Sequence, residues 1–359
     1  MKKINVLHIL NTTDIGGTER VLLDMCKYYD RDNFKFVVAV FEKGQLENEF
    51  RKHVKMVNLN DPRHFSCESL KRILKIVKEE HIDIVQTHLQ RPEFYGFLVK
   101  LRHPTVKWAV KKGNTNKYRK KLFWRMSNGF ILKFASTIVT TSRVVRDFTA
   151  EFEFVRKKKM LVIYSGIDLQ RIGHKIRSGA NLRKRLELKK TDKVVISVGR
   201  LVYQKGFEYL IGAMNEFDKD FKLLIAGDGD LKDKLREQIG VLGLESRVKL
   251  LGERKDVKQL LSISDVFCLA SIEEGLGLVV MEAMAAGVPV VATNVGGLKE
   301  VVGDAGILVE PRKPDKLASA IKDAMRKRAV LTKRAYKQVG KFSVENTVKE
   351  YEKLYKRMV

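Results

Sequence analysis

Short runs rich in valine and isoleucine recur along this chain, each followed by a longer stretch whose apolar residues return every three or four positions. Strands that alternate with helices are joined by crossovers, so they pair in parallel and both sheet faces are covered. A first series of strands is expected at Ile4–Leu10, Phe36–Phe41, Val54–Leu59, Ile82–His88, Val106–Val110, Ile138–Thr141 and Met160–Tyr164. A second is expected at Val194–Val198, Lys222–Ala226, Val248–Leu250, Val266–Ala270, Val288–Ala292 and Gly306–Val309. The stretch 165–192 between them is polar and basic, which places an interdomain hinge near Gly166–Gly173. The fold class is therefore α/β, with two Rossmann-like doubly wound parallel-sheet domains, 1–170 and 171–342, whose C-terminal strand ends face one cleft. A chain of 359 residues has room for both cores. Helices are expected at Pro314–Arg328 and Ser343–Met358, the second capped by Ser343 with Glu345 and Asn346 nearby.

Composition narrows the function. The chain is 44% hydrophobic and 31% charged with six prolines, which excludes a disordered chain. Its 70 Lys and Arg against 43 Asp and Glu give +27, which attracts nucleic acid, an anionic membrane or a phosphorylated ligand. Three scattered cysteines, Cys26, Cys67 and Cys268, fit a reducing compartment and are read as buried small hydrophobes. The apolar run 4–10 is too short for a secretory signal and no long uncharged stretch follows. A cytoplasmic location is expected, with membranes touched only peripherally.

The densest cluster of chemistry lies in 271–297. A strand ends, Glu274, Gly275, Leu276 and Gly277 form a turn, a helix begins near Leu278, and Glu282 lies eight residues after Glu274. Glycines let the backbone approach a ligand, and N–H groups that open a helix attract anions. Two glutamates alone would equally well complement a helix dipole. Upstream, Arg200 and Lys205 sit in a loop after a strand, where they can converge on one anion or remain solvated. Gly16 and Gly17 join the first strand to a helix, and His88 ends the fourth strand at a ligand edge. His8 is read as core. The Asp228-Gly-Asp230 string follows a strand directly, and no metal site is expected from it. Neither a Walker A string nor a complete G-x-G-x-x-G fingerprint occurs.

From Phe94 to Arg146 there are thirteen Lys or Arg and no acid. Leu122, Met126, Phe130 and Phe134 recur every four residues in a helix candidate, 117–134, and are expected to form its core stripe, with Trp124 outward beside Lys117 and Lys121. Trp108, Lys117, Lys120, Lys121, Trp124 and Arg125 are accordingly expected on an acceptor- or membrane-facing surface. A solvated basic face is the plainer alternative. No C2H2 spacing, RNP1 string or helix-turn-helix supports a nucleic-acid partner.

The 271–297 string closely resembles the E-x7-E signature of the retaining GT-B glycosyltransferases of the GT4 type. The segment Gly199–Gly206 resembles the same family's G-R-L-x-x-x-K-G pattern. The resemblance implies two Rossmann-like domains, an acceptor domain at 1–170 and a donor domain at 171–342, with the last helix, 343–359, packing back on the first. It implies that Arg200, Lys205 and the backbone around Gly275, Leu276, Gly277 and Leu278 hold a nucleotide-sugar diphosphate. Glu282 would take the ribose and Glu274 the donor sugar, with Gly227 close to the nucleotide. Gly16 and Gly17 would lie beside the phosphates, and His88 would line the acceptor side as a catalytic residue. Gln86 stands where the family commonly has a second histidine, and Leu276 where it frequently has phenylalanine. The activity implied is transfer of a sugar from a UDP- or GDP-sugar to a saccharide or lipid-linked acceptor with retention, in cell-envelope polysaccharide or glycolipid synthesis. It needs no cofactor or metal and would run at the cytoplasmic face of an anionic membrane. A phosphorylase or hydrolase on the same fold, a basic nucleic-acid-binding protein and an inactive scaffold are the alternatives.

Overall fold

A computed structural model of the chain describes residues 3–115, 122–173 and 179–359, with 122–124 and 173 described by backbone alone. It divides into two compact units, Met1–Ile167 with Ser343–Val359, and Asp168–Phe342.

The first unit holds a seven-stranded sheet built from β1 (Ile4–Leu10), β2 (Phe34–Val40), β3 (Lys55–Asn58), β4 (Ile84–His88), β5 (Lys107–Lys112), β6 (Thr137–Thr140) and β7 (Met160–Val162). Its order is β3-β2-β1-β4-β5-β6-β7 with every pair parallel. The second unit holds β8 (Lys193–Val198), β9 (Phe221–Ala226), β10 (Val248–Leu250), β11 (Val266–Leu269), β12 (Val290–Thr293) and β13 (Ile307–Val309), in the order β10-β9-β8-β11-β12-β13, again all parallel. The Val- and Ile-rich runs form these strands because a parallel strand is covered on both faces and has no polar side to alternate with. Each unit has its own core, around Leu7, Ile9, Val85 and Val110 in the first and Leu210, Leu223, Ile225 and Cys268 in the second.

The helix Val344–Met358 belongs to the first unit. Ser343 caps it by accepting from the Asn346 N–H at 3.2 Å, and Thr347 Oγ1 accepts from the Gly166 N–H at 2.8 Å. Its Tyr351 and Tyr355 are fully buried, each contributing about 2 kcal/mol of apolar burial. A helix absent from the sequence reading, Arg328–Val339, follows Pro314–Arg326 after a one-residue break.

Three expectations are corrected. Trp108 is not on a surface: it is 0% exposed, in mid-sheet on β5, and its Nε1–H donates to Thr87 Oγ1 at 3.0 Å. Met126, Phe130 and Phe134 are not a core stripe but lie outward, at 63%, 56% and 37% exposure. The helix that carries the first two, Leu122–Leu132, turns Asn128, Gly129 and Leu132 inward instead, and Phe134 follows it. Gly129 sets that rotation, since a Cβ there would come within 2.6 Å of the Glu153 carbonyl oxygen. Cys67 is exposed, because it opens the helix Cys67–Glu79 just past its Ser66 cap.

Candidate functional site

The second unit's sheet reverses its winding between β8 and β11. Doubly wound sheets bind ligands at such a switch point, beyond the C-terminal strand ends. The loop after β8 carries Arg200 and Lys205, and the loop after β11 carries Glu274. Lys205 Nζ donates to Glu274 Oε2 at 2.6 Å. Ser271 Oγ donates to the same oxygen at 3.4 Å, while Glu274 Oε1 accepts from the Gly275 N–H at 3.1 Å. The loops are pinned together by backbone, with the Ile272 N–H donating to the Gln204 carbonyl at 2.7 Å. Thr293 Oγ1 donates to the Ser271 carbonyl at 2.6 Å. A third loop closes over Glu274 at Gly296, whose φ is +54° and whose missing Cβ would sit 1.7 Å from the Glu274 carbonyl oxygen.

Arg200 is exposed and makes no side-chain hydrogen bond or ion pair among the described residues. It is available to an incoming anion, as Lys205 is once it is shared with Glu274. Gly275 and the buried Leu276 lead to Gly277, the N-cap of the helix Leu278–Ala285. Glu282 lies one turn into that helix, 3.8 Å from Arg171 Nη2 of the short helix Leu169–Gly173. Gly227 directly follows β9 and donates its N–H to the Gly252 carbonyl at 2.8 Å. Asp228 is engaged locally, with its carboxylate accepting from Lys232 Nζ at 2.7 Å and from the Gly229 N–H at 2.8 Å.

The first unit's sheet reverses between β1 and β4. Gly16, the N-cap of the helix Gly17–Tyr28, stands in the loop that follows β1. His8 is in register with Gln86, and His88, the last residue of β4, with Lys111 on β5. Alternate strand residues share a face, so His8, Gln86, His88 and Lys111 form one polar row across the sheet. His8 Nδ1 lies 3.2 Å from His88 Nε2, one ring donating to the other. Gln86 accepts from Tyr355 Oη at 2.6 Å. Both histidines are buried. Burial first, then the charge of Lys111, lowers His8 to about 3 and holds His88 well below the ordinary imidazole range, so both rings are neutral at pH 7. His88 Nδ1 has no protein partner among the described residues.

Sequence reading missed His8 as the partner of His88, and missed Lys111 altogether. The signal was present in polar residues two apart, Gln86 and His88, on a strand otherwise fit for a core. Lys112 faces the opposite side and is neutralised there by Glu93 at 2.6 Å and Glu153 at 3.2 Å. Arg125 is half-buried, with its Nε donating to the Phe152 carbonyl at 3.3 Å and its guanidinium 4.6 Å from the Phe154 ring. Lys117, Lys120 and Lys121 lie outside the described residues, as does the side chain of Trp124.

Two family models match the chain, Glycosyltransferase Family 4 over residues 15–171 and Glycosyl transferases group 1 over residues 179–341. The chain is 34% identical over 231 residues to an uncharacterized glycosyltransferase of Methanocaldococcus jannaschii, a match that covers 61% of this chain and 59% of that relative. It is 26% identical over 339 residues to the UDP-Gal:alpha-D-GlcNAc-diphosphoundecaprenol alpha-1,3-galactosyltransferase of Escherichia coli, covering 89% of this chain and 87% of that one. Among solved structures, Anabaena HepE in complex with UDP and glucose superposes with a TM-score of 0.89 at 23% identity, over 99% of this chain and all of that chain (100%). The lipopolysaccharide glycosyltransferase WaaG superposes with a TM-score of 0.77 at 17% identity, over 98% of this chain and 99% of that one. Two parallel-sheet units, each wound about its own switch point, and two family models that together span nearly the whole sequence lead to one conclusion: the chain belongs to the GT4-type glycosyltransferases of the GT-B fold.

Proposed function

We propose that the chain transfers a sugar from a nucleoside-diphosphate sugar to a saccharide or lipid-linked acceptor with retention of anomeric configuration, in the building of a cell-envelope polysaccharide or glycolipid. The observation that carries this reading is the Lys205–Glu274 pair, held between two pinned loops at the switch point of the second unit. Lys205 and Arg200 would neutralise the diphosphate, with the N–H groups that open the helix Leu278–Ala285 adding their dipole. Glu274 would hold hydroxyls of the donor sugar, and Glu282 those of the ribose. The bond between the anomeric carbon and the β-phosphate oxygen breaks and the acceptor oxygen bonds to that carbon on the same face. The acceptor's proton passes to the departing phosphate. Stabilising that leaving group is the largest contribution such a site can make. No metal or cofactor enters the scheme. The names of the Escherichia coli relative and of the HepE complex support a UDP-sugar, and the former supports a lipid-linked diphosphate acceptor. The test is a panel of UDP- and GDP-sugars with product analysis, in which a glycosylated acceptor supports transfer and sugar phosphate or free sugar alone points to a phosphorylase or hydrolase.

A second element of the reading is peripheral attachment of the first unit to an anionic bilayer. No helix among the described residues is long and apolar enough to cross one. The corrected helix face supports attachment: Met126, Phe130 and Phe134 lie outward, Phe134 meets Phe97 at a ring distance of 5.1 Å, and Leu101 on the same neighbouring helix is half exposed. These residues belong to the acid-free basic segment, in which each cation near an anionic leaflet contributes about 1 kcal/mol.

A further inference from the structure

We propose that Lys111, together with the Nδ1 edge of His88, forms an anion subsite on the first unit that takes a phosphate group of the acceptor. The inference rests on the reading of this unit as the acceptor domain, and it adds a residue and a ligand chemistry to that reading.

Two consecutive lysines end β5, both about 5% exposed, and their treatment by the fold differs. Lys112 is clamped by two buried carboxylates, as an interior cation requires. Lys111, on the other face, makes no side-chain hydrogen bond or close ion pair among the described residues. Glu19, in the first turn of the helix Gly17–Tyr28, is the carboxylate whose charge reaches it, and burial still pulls its pKa down to about 8. A desolvated cation that no carboxylate holds at ion-pair distance is costly, and folds retain such groups where a ligand supplies the missing charge.

The surroundings fit a phosphate. Lys111 stands in register with His88 at the ends of β5 and β4, on the strand edge where doubly wound sheets bind ligands. The buried Nδ1 of His88 has no protein partner, so a neutral imidazole is free to hydrogen-bond an oxyanion or its proton. The neighbouring imidazole of His8 fixes the His88 ring through the 3.2 Å contact at Nε2. Lysine serves phosphate as a point charge, with no need for the planar fork that carboxylates favour.

The experiment uses the full chain carrying Lys205→Ala, which weakens the hold of the second unit on phosphate, and titrates it with inorganic phosphate and with pyrophosphate while the His8 and His88 ring resonances, which report the first unit alone, are followed by NMR. The His88 signals should shift on titration. Adding Lys111→Met should weaken the affinity at least tenfold, whereas Lys111→Arg should retain it within about threefold. Lys111→Met should also raise the unfolding temperature, by about 2–4 °C, because it removes a buried charge that no carboxylate holds at ion-pair distance. A structural lysine would lower it. Unchanged phosphate affinity in Lys111→Met, or phosphate binding that leaves the His88 signals in place, overturns the subsite. Nucleotide-sugar turnover by the wild-type chain is measured separately, so loss of the glycosyltransferase reading and loss of the subsite appear in different assays.

Discussion

Lys205 and Glu274 are separated by 69 positions, yet their side chains meet at 2.6 Å at the point where the second sheet changes its winding direction. The pair leaves the lysine side chain 21% and the glutamate side chain 13% exposed, so each holds the other at the strand edge. Lys205→Ala should therefore weaken donor binding by about 10- to 100-fold, the worth of one charge-assisted hydrogen bond. Glu274→Gln, which keeps the shape and removes the charge, should cost turnover more than it costs nucleotide binding. Calorimetric titration with UDP and GDP beside a turnover assay reads both.

Gly296 should tolerate no side chain. With a positive φ and the Glu274 carbonyl where a Cβ would go, Gly296→Ala should destabilise the second unit by about 2–4 kcal/mol and displace Glu274. Urea unfolding gives the stability, and donor affinity gives the displacement.

The outward helix face predicts a separation of stability from attachment. Met126→Ser with Phe130→Ser should change stability by less than about 1 kcal/mol, because both side chains are mostly exposed. The same pair should abolish flotation with vesicles of phosphatidylcholine and phosphatidylglycerol at low salt. Trp108→Ala is the control in the opposite sense, costing about 3–5 kcal/mol because it empties a filled core position. Flotation that survives the double substitution places membrane contact elsewhere.

Acid should weaken the first unit before its carboxylates titrate. His8 and His88 are held neutral in the folded chain but accept protons near pH 6.5 once unfolded. The unfolded state then binds more protons, so the contribution of the two rings is complete above about pH 6.5 and is lost as the pH falls below it, by up to about 1.4 kcal/mol per pH unit for each ring, for His8 down to about pH 3. Urea midpoints at pH 7 and pH 5 should differ, and His8→Gln should reduce that difference. Equal midpoints in the wild-type chain would mean the rings titrate normally.

Much of this molecule was legible in the sequence because its strands are buried on both faces and leave unmistakable apolar runs; all thirteen lie within a few residues of where those runs put them. The loops after β8 and β11 were singled out in the sequence by Lys205 and Glu274, and those two side chains do meet. The basic segment was not. Helical spacing at Met126, Phe130 and Phe134 says that these residues share a face, but Gly129, one residue off the stripe, decides which face turns inward. The acid-free window also misled, since the carboxylates that neutralise Lys112, Glu93 and Glu153, lie just outside its two ends and are brought in by neighbouring helices. Charge counted along a chain does not reveal which cations are compensated in space, and Lys111 and Lys112 are adjacent examples of opposite outcomes.

The most direct measurement is thermal stabilisation of the full chain by a panel of UDP- and GDP-sugars, repeated on Lys205→Ala and Glu274→Ala. The account predicts that at least one nucleotide sugar raises the unfolding temperature of the wild-type chain and is slowly consumed, that Lys205→Ala loses most of the stabilisation, and that Glu274→Ala loses the consumption and part of the stabilisation. Stabilisation of the variants equal to that of the wild type, or a panel in which no nucleotide sugar binds, would contradict it.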